Sequence, residues 1–123
     1  ERSRGRGDVY KRQQRDFFKN EKTFGNVKDQ YKAMLEVAHN WNKLFAATVI
    51  PGYDDRIIRE PGTYIGRDDG NTYDYLWRIS KNADWVLITS FNEWHEGTEI
   101  EPSKEYGYYY IDQTAYWAGK FKD

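Results

Sequence analysis

No cysteine occurs among the 123 residues, so a disulfide scaffold, a thiolate metal site and a cysteine nucleophile are all excluded. Charge of one sign is not in excess either. With 19 basic residues against 20 acidic ones the formal net charge is -1, which gives no electrostatic reason for a nucleic acid or an anionic membrane surface as partner. No apolar run approaches the roughly 20 residues that span a bilayer, and no signal peptide is visible. Histidine is scarce, with only His39 and His95, which leaves a zinc site short of its usual nitrogen ligands.

Aromatic side chains are abundant. Five Trp, 11 Tyr and 6 Phe make up 18% of the chain, while the hydrophobic fraction as a whole is only 38%. Such rings pack with a face and hydrogen-bond from an edge, which suits a carbohydrate cleft and an ordinary half-buried helix alike. The opening ERSRGRGDVYKRQ is basic, lacks apolar periodicity and contrasts with the rest of the chain. Its DVYKRQ resembles the translation of a transposon-end sequencing adapter, so residues 1–13 are set apart as an adapter-derived or disordered segment. Residues 14–123 form the body of the chain, and the reading frame is expected to enter its gene part-way along.

Val27, Tyr31, Met34, Leu35, Ala38 and Trp41 recur at three- and four-residue steps and predict a helix packed on one side, ending within residues 40–43. LFAATVI at 44–50 is a short unbroken apolar run, as a strand covered on both faces requires. Pro51-Gly52 stops it, and a polar stretch through Asp55, Arg59 and Arg67 to Asp69-Gly70 reads as a long loop of the functional kind. A second helix is capped at Asn71 or Thr72, with Asp74 in its first turn, Tyr73, Leu76 and Trp77 on its buried face and Asn82 at its end. WVLITSF at 85–91 is the second strand. NEWHEGTEIEPSKEYG comes next, and then a last helix with Ile111, Ala115, Ala118 and Phe121 as its buried stripe.

Strands alternating with helices imply a parallel sheet with crossover connections. Two such strands cannot hide their own edges and faces. The predicted fold is therefore α/β, the C-terminal βα units of a (β/α)8 TIM barrel that is incomplete in this chain, with both loops at the catalytic end of the strands. A doubly wound open sheet is the alternative, and no glycine-rich phosphate loop supports it.

Just beyond the second strand lie Glu93, Glu96, Glu99 and Glu101, with Trp94 and His95 among them. For Glu99 and Glu101 a solvated acidic turn explains the sequence as well as function does. Glu93 comes directly after the buried strand and is the stronger candidate. Two carboxylates are the minimum for cleaving a glycosidic bond, one protonated to help the leaving oxygen and one ionised to assist attack, and Glu93 and Glu96 can supply them. The rival use is a metal site. His95-Glu96 begins like a zinc-protease motif, but position 99 is Glu where a second histidine would stand, so no metal is expected.

ITSFNEWHEGTEIEP, residues 88–102, resembles the signature of glycoside hydrolase family 99, the endo-acting α-mannosidases, and of related family 99-like barrels. PGYDD at 51–55, Arg67, Gly70 and Tyr73 fall in that family's order and approximate spacing. The resemblance implies a (β/α)8 barrel that hydrolyses α-linked mannoside-type glycans with retention, in the manner of an endo-α-1,2-mannosidase. It implies that Glu93 assists the substrate's own 2-hydroxyl as internal nucleophile and that Glu96 is general acid and then base. Tyr53, Asp55, Arg67, Asn92, Trp94 and His95 are the expected glycan contacts, the partner is a glycan or polysaccharide, and no cofactor is implied. A periplasmic or secreted location would suit such an enzyme. Two features depart from the mannosidase pattern: position 99 is Glu where Gln is frequent, and EPSKEYGYYYID at 101–112 is more like the family 99-like proteins found beside polysaccharide genes. The alternative is accordingly a noncatalytic or biosynthesis-associated glycan-binding barrel.

Overall fold

The computed structural model describes residues 21–123; the basic segment 1–13 lies outside the described residues. Helix α1 spans Glu21–Asn40. Val27, Tyr31, Leu35 and Ala38 are half-buried along it, whereas Met34 and Trp41 are exposed, so its seam is narrower than the sequence predicts. The seam lies on the first strand, where Tyr31 Oη donates to the Thr48 carbonyl at 2.6 Å and the Tyr31 ring meets Phe45 edge-on at 5.7 Å. The helix ends where Asn42 turns left-handed (φ 55). Its N–H bonds the His39 carbonyl at 3.1 Å and the Lys43 N–H bonds that of Ala38 at 2.8 Å. That pattern satisfies carbonyls the helix would otherwise orphan.

Strand β1 (Ala46–Val49) pairs in parallel with β4 (Trp85–Ile88), in register from Ala46 opposite Trp85 to Val49 opposite Ile88. The pair is pinned where it begins. Asp84 Oδ2 accepts from the Phe45 N–H at 2.8 Å and contacts His39 Nε2 at 2.8 Å, and these bonds, Phe45 first, hold the Asp84 carboxyl below the usual carboxylate range. Both strands are shorter than the apolar runs that predict them. Only one face of the sheet is covered: Ala47 and Val49 are fully buried and Val86 and Ile88 pack beside them, while Trp85 is 60% and Leu87 50% exposed on the other face.

The long loop expected after β1 contains a short antiparallel ladder, β2 (Tyr53–Asp54) with β3 (Tyr64–Ile65), and a 3-10 turn at Asp68–Gly70. Helix α2 (Asn71–Ile79) then crosses back to β4. Its cap is Gly70 and not Asn71 or Thr72. Gly70 sits at φ 94, and a Cβ there would lie 2.1 Å from Tyr109 Oη, so both the backbone and the neighbour demand glycine. Thr72 Oγ1 donates backward to the Gly66 carbonyl instead of capping, and the helix stops before Asn82.

Helix α3 (Tyr109–Lys122) closes the core, and Ile111, Ala118 and Phe121 of its predicted stripe pack against it. Of the predicted positions only Ala115 is exposed, and Tyr110, Thr114 and Trp117 widen the inward face beyond the predicted stripe. Tyr73 contacts Tyr110 at 5.7 Å and Trp77 at 6.2 Å, both edge-on, and its hydroxyl shares a 2.7 Å hydrogen bond with Thr114 Oγ1. Helix, strand, loop, helix, strand, loop, helix is the predicted order, with the predicted parallel pair. No helix among the described residues is long and apolar enough to cross a membrane.

Candidate active site

Parallel strands deliver the loops at their C-terminal ends to the same end of the sheet. The loop after β4 closes largely on itself. The Ser90 N–H bonds the Thr98 carbonyl at 2.9 Å, the Thr98 N–H bonds that of Glu93 at 3.2 Å, and the Ile100 N–H reaches those of Ser90 and Phe91 at 3.0 and 3.1 Å. Below this ladder Ser90 Oγ and Thr98 Oγ1 are 2.7 Å apart, and Ser90 Oγ also accepts from the Glu93 N–H at 2.9 Å. Residues 92–97 form the tip. Asn92, Glu93, Trp94 and His95 are exposed there and Glu96 is half-buried. The Glu93 carboxylate accepts the His95 N–H at 3.2 Å, and the Trp94 indole donates to Glu101.

The loop after β1 meets this tip through Tyr53, Asp54, Arg59 and Arg67. The Asp54 N–H bonds the Glu96 carbonyl at 2.7 Å. Arg59 Nη1 lies 3.2 Å from Glu96 Oε2, 2.7 Å from Asp55 Oδ2 and 3.1 Å from Tyr53 Oη. Tyr53 Oη itself donates to Asp55 Oδ2 at 2.8 Å, with Glu96 Oε2 at 3.5 Å. Arg67 Nη2 donates to the Gly97 and Glu99 carbonyls at 3.1 and 3.0 Å. The structure therefore brings Tyr53, Asp55 and Glu96 into one polar cluster, with Glu93 on the same loop tip but turned onto its own backbone.

Arg67 is not presented at this surface. It is 3% exposed beneath the loop, paired to Glu99 Oε2 at 3.1 Å, with its guanidinium over Tyr106 at 4.3 Å and Tyr110 at 4.6 Å. Glu99 is likewise no part of a solvated acidic turn: at 2% exposure it is the buried counter-charge of Arg67. Burial pushes the Tyr110 phenol above its ordinary value. Arg59 is the cluster member that sequence reasoning missed. Its spacing of four from Asp55 was a weak signal, and its contact with Glu96 spans 37 positions.

The electrostatics of the cluster come from its bonds. Asp55 is held down at about 2, first by the Thr63 N–H at 2.6 Å and then by Arg59. The hydrogen bond to Asp55 pushes Tyr53 up, and the bonds to Asp55 and Glu96 push Arg59 up. A fixed anion, a cation and a phenol thus surround the Glu96 carboxylate, whose side chain is 33% exposed. Three residues earlier, Glu93 offers a second carboxylate. Such a pair at the open end of parallel strands is equipped for proton transfer to and from a bound substrate. Among the described residues no group of three or more His, Asp or Glu side chains is placed to hold a metal ion.

The family model for glycosyl hydrolase family 99 matches residues 13–123. A glycoprotein endo-alpha-1,2-mannosidase-like protein of Danio rerio is 35% identical over 103 residues, covering 78% of this chain and 23% of the relative. The glycoprotein endo-alpha-1,2-mannosidase of Rattus norvegicus is 33% identical over 97 residues, covering 73% of this chain and 21% of the relative. The structure of the GH99 endo-alpha-mannosidase from Bacteroides thetaiotaomicron superposes with a TM-score of 0.70 at 35% identity, over 77% of this chain and 33% of that one. The chain spans about a quarter of the length of these curated relatives. Its elements are those of the C-terminal part of a (β/α)8 barrel, and the bare face of β1 and β4 is the face such a barrel turns inward.

Proposed function

The chain belongs to glycosyl hydrolase family 99, and on that premise we propose that the protein carrying it is a glycoside hydrolase that cleaves α-linked mannoside-type glycans internally, as an endo-α-1,2-mannosidase does, with retention of configuration. The observation that carries this reading is the meeting of Glu96 with Tyr53 and, through Arg59, with Asp55 at the shared end of two parallel strands, on the loop that also bears Glu93. The relatives named as endo-mannosidases support the substrate class.

In the proposed reaction Glu93 takes the proton of the substrate's 2-hydroxyl, whose oxygen attacks the anomeric carbon. Glu96, protonated, gives its proton to the departing glycosidic oxygen as that bond breaks. Water then opens the resulting three-membered ring at the anomeric carbon, its proton passing to Glu96, and the 2-oxygen recovers its own from Glu93. Two inversions give retention. Because an oxygen of the substrate is the nucleophile, the carboxyl separation that marks covalent retaining enzymes does not apply to this pair. Trp94, exposed at the tip, offers a ring face to a sugar, and Asn92 and His95 offer polar edges.

The test uses the protein expressed from its full reading frame. Glu96→Gln should lose about 10²- to 10⁴-fold on unactivated α-mannosides and much less on an aryl α-mannoside or fluoride, because a good leaving group needs no proton. Glu93→Gln should gain nothing from the better leaving group, since attack itself fails. Equal rescue of the two variants refutes the assigned roles. A wild-type protein that binds α-mannosides yet never cleaves an activated one would be the noncatalytic glycan-binding barrel instead.

A further inference from the structure

Among the described residues Glu96 Oε2 has two side-chain partners, and they are unequal. Tyr53 Oη has one proton and a nearer acceptor, Asp55 at 2.8 Å against Glu96 at 3.5 Å, so the phenol reinforces Asp55. Arg59 Nη1, at 3.2 Å, is the closer donor to Glu96. The remaining tie is the Asp54 N–H on the Glu96 carbonyl, which holds the main chain and leaves the side-chain torsions of Glu96 free. Orientation of the carboxylate thus depends on Arg59.

Arg59 is itself well anchored. Asp55, its 2.7 Å partner, is built into the β2–β3 hairpin: its Oδ1 takes the Thr63 N–H at 2.6 Å, and its own N–H bonds the Thr63 carbonyl at 3.2 Å. Arg59 remains 52% exposed, so its ion pairs contribute little to stability. A half-exposed arginine that bridges a rigid aspartate to a glutamate 37 positions away is better explained by what it does to that glutamate.

We propose that Arg59 is a positioning residue which, anchored on Asp55, holds the Glu96 carboxylate where it exchanges protons with the substrate. The proposal rests on the role given to Glu96 above. A group that acts only through Glu96 has nothing left to do once Glu96 cannot carry a proton, whereas a structural residue goes on costing activity in any background.

The experiment is a double-mutant cycle on the protein from its full reading frame, with Arg59→Met, Glu96→Gln and both together, assayed on an unactivated and an aryl α-mannoside. Arg59→Met should lower kcat on the unactivated substrate by about 10²-fold, with KM little changed, because misplacing a catalytic group by about 1 Å has that effect. On the aryl substrate the loss should be several-fold smaller, and in the Glu96→Gln background Arg59→Met should change the residual rate by less than about twofold. Arg59→Lys should recover part of the rate, and it takes the place of Arg59→Met in the cycle should the latter fail to fold. A loss in the Glu96→Gln background as large as in the wild type overturns the proposal. If the wild-type protein cleaves no α-mannoside, the functional reading has failed and positioning is decided by crystal structures of wild type and variant. A displaced Glu96 carboxylate in the variant then supports it, and an unmoved one overturns it.

Discussion

Replacing Arg67 with methionine should cost the fold more than replacing its partner Glu99 with glutamine. The two side chains are 3% and 2% exposed, and Arg67 Nη2 serves three oxygens at 3.0 to 3.1 Å: Glu99 Oε2 and the carbonyls of Gly97 and Glu99. Methionine keeps much of the stem but strands a buried carboxylate and removes the donor from two loop carbonyls. Breaking a buried pair from one side costs about 3–5 kcal/mol. Glu99→Gln removes the counter-charge of Arg67 but retains an oxygen of the same shape for it and leaves both carbonyl bonds intact, so the guanidinium stays hydrogen-bonded and the loss is that of a charge-assisted bond, about 1.5–3 kcal/mol. Combining the two changes removes the stranded charge, and the double variant should be at least about 1 kcal/mol more stable than Arg67→Met alone. Urea unfolding of the protein from its full reading frame, monitored by tryptophan fluorescence and compared at constant m, measures all three. An Arg67→Met variant as stable as Glu99→Gln, or a double variant whose loss is the sum of the singles, would refute the reasoning.

Two further outcomes concern acid stability and the behaviour of the isolated chain. Asp55 titrates at about 2 in the folded protein against about 4 in an unfolded chain, so the stability it contributes is complete above about pH 4 and lost as pH falls toward 2. The stability gap between wild type and Asp55→Asn should be constant above about pH 5 and close on acidification; a gap that persists at pH 2 contradicts this. The 123-residue polypeptide alone leaves Trp41, Trp85 and Leu87 at 75%, 60% and 50% exposure. It should bind an apolar dye and self-associate, and a soluble monomer with one cooperative thermal transition would count against that.

What the sequence disclosed was what periodicity and unbroken apolar runs encode. β1, β4 and the intervening α2 were legible because Ala46–Val49 and Trp85–Ile88 lie within runs that carry no charge. In α3 the stripe was legible at Ile111, Ala118 and Phe121, whereas Tyr110 and Trp117 are amphipathic and turn inward because Tyr73 and Asp74 face them. Gly70 was missed as a cap because its left-handed backbone and the distant Tyr109, neither visible in local spacing, are what forbid a side chain there. Buried and solvated charges are spelled alike, so the pairing of Arg67, an expected glycan contact, with Glu99, left open between a solvated turn and a functional role, was not legible. Arg59 was hidden for a related reason: sequence spacing carries no information about a partner on another loop.

The loop that carries Glu93 and Glu96 is closed by bonds that mostly ignore side-chain identity at its tip. Its ladder runs between main-chain groups, and the neighbouring loop grips it through the carbonyls of Glu96, Gly97 and Glu99. Among the described residues Asn92 and His95 enter that framework only through their backbones. Inheritance of shape and inheritance of preference are thereby separated. If the proposed function holds, the side chains at 92 and 95, and the glycan contacts expected of them, can be exchanged while the carboxylates keep their places. Selection then has positions to work on where a change of residue leaves the fold undisturbed.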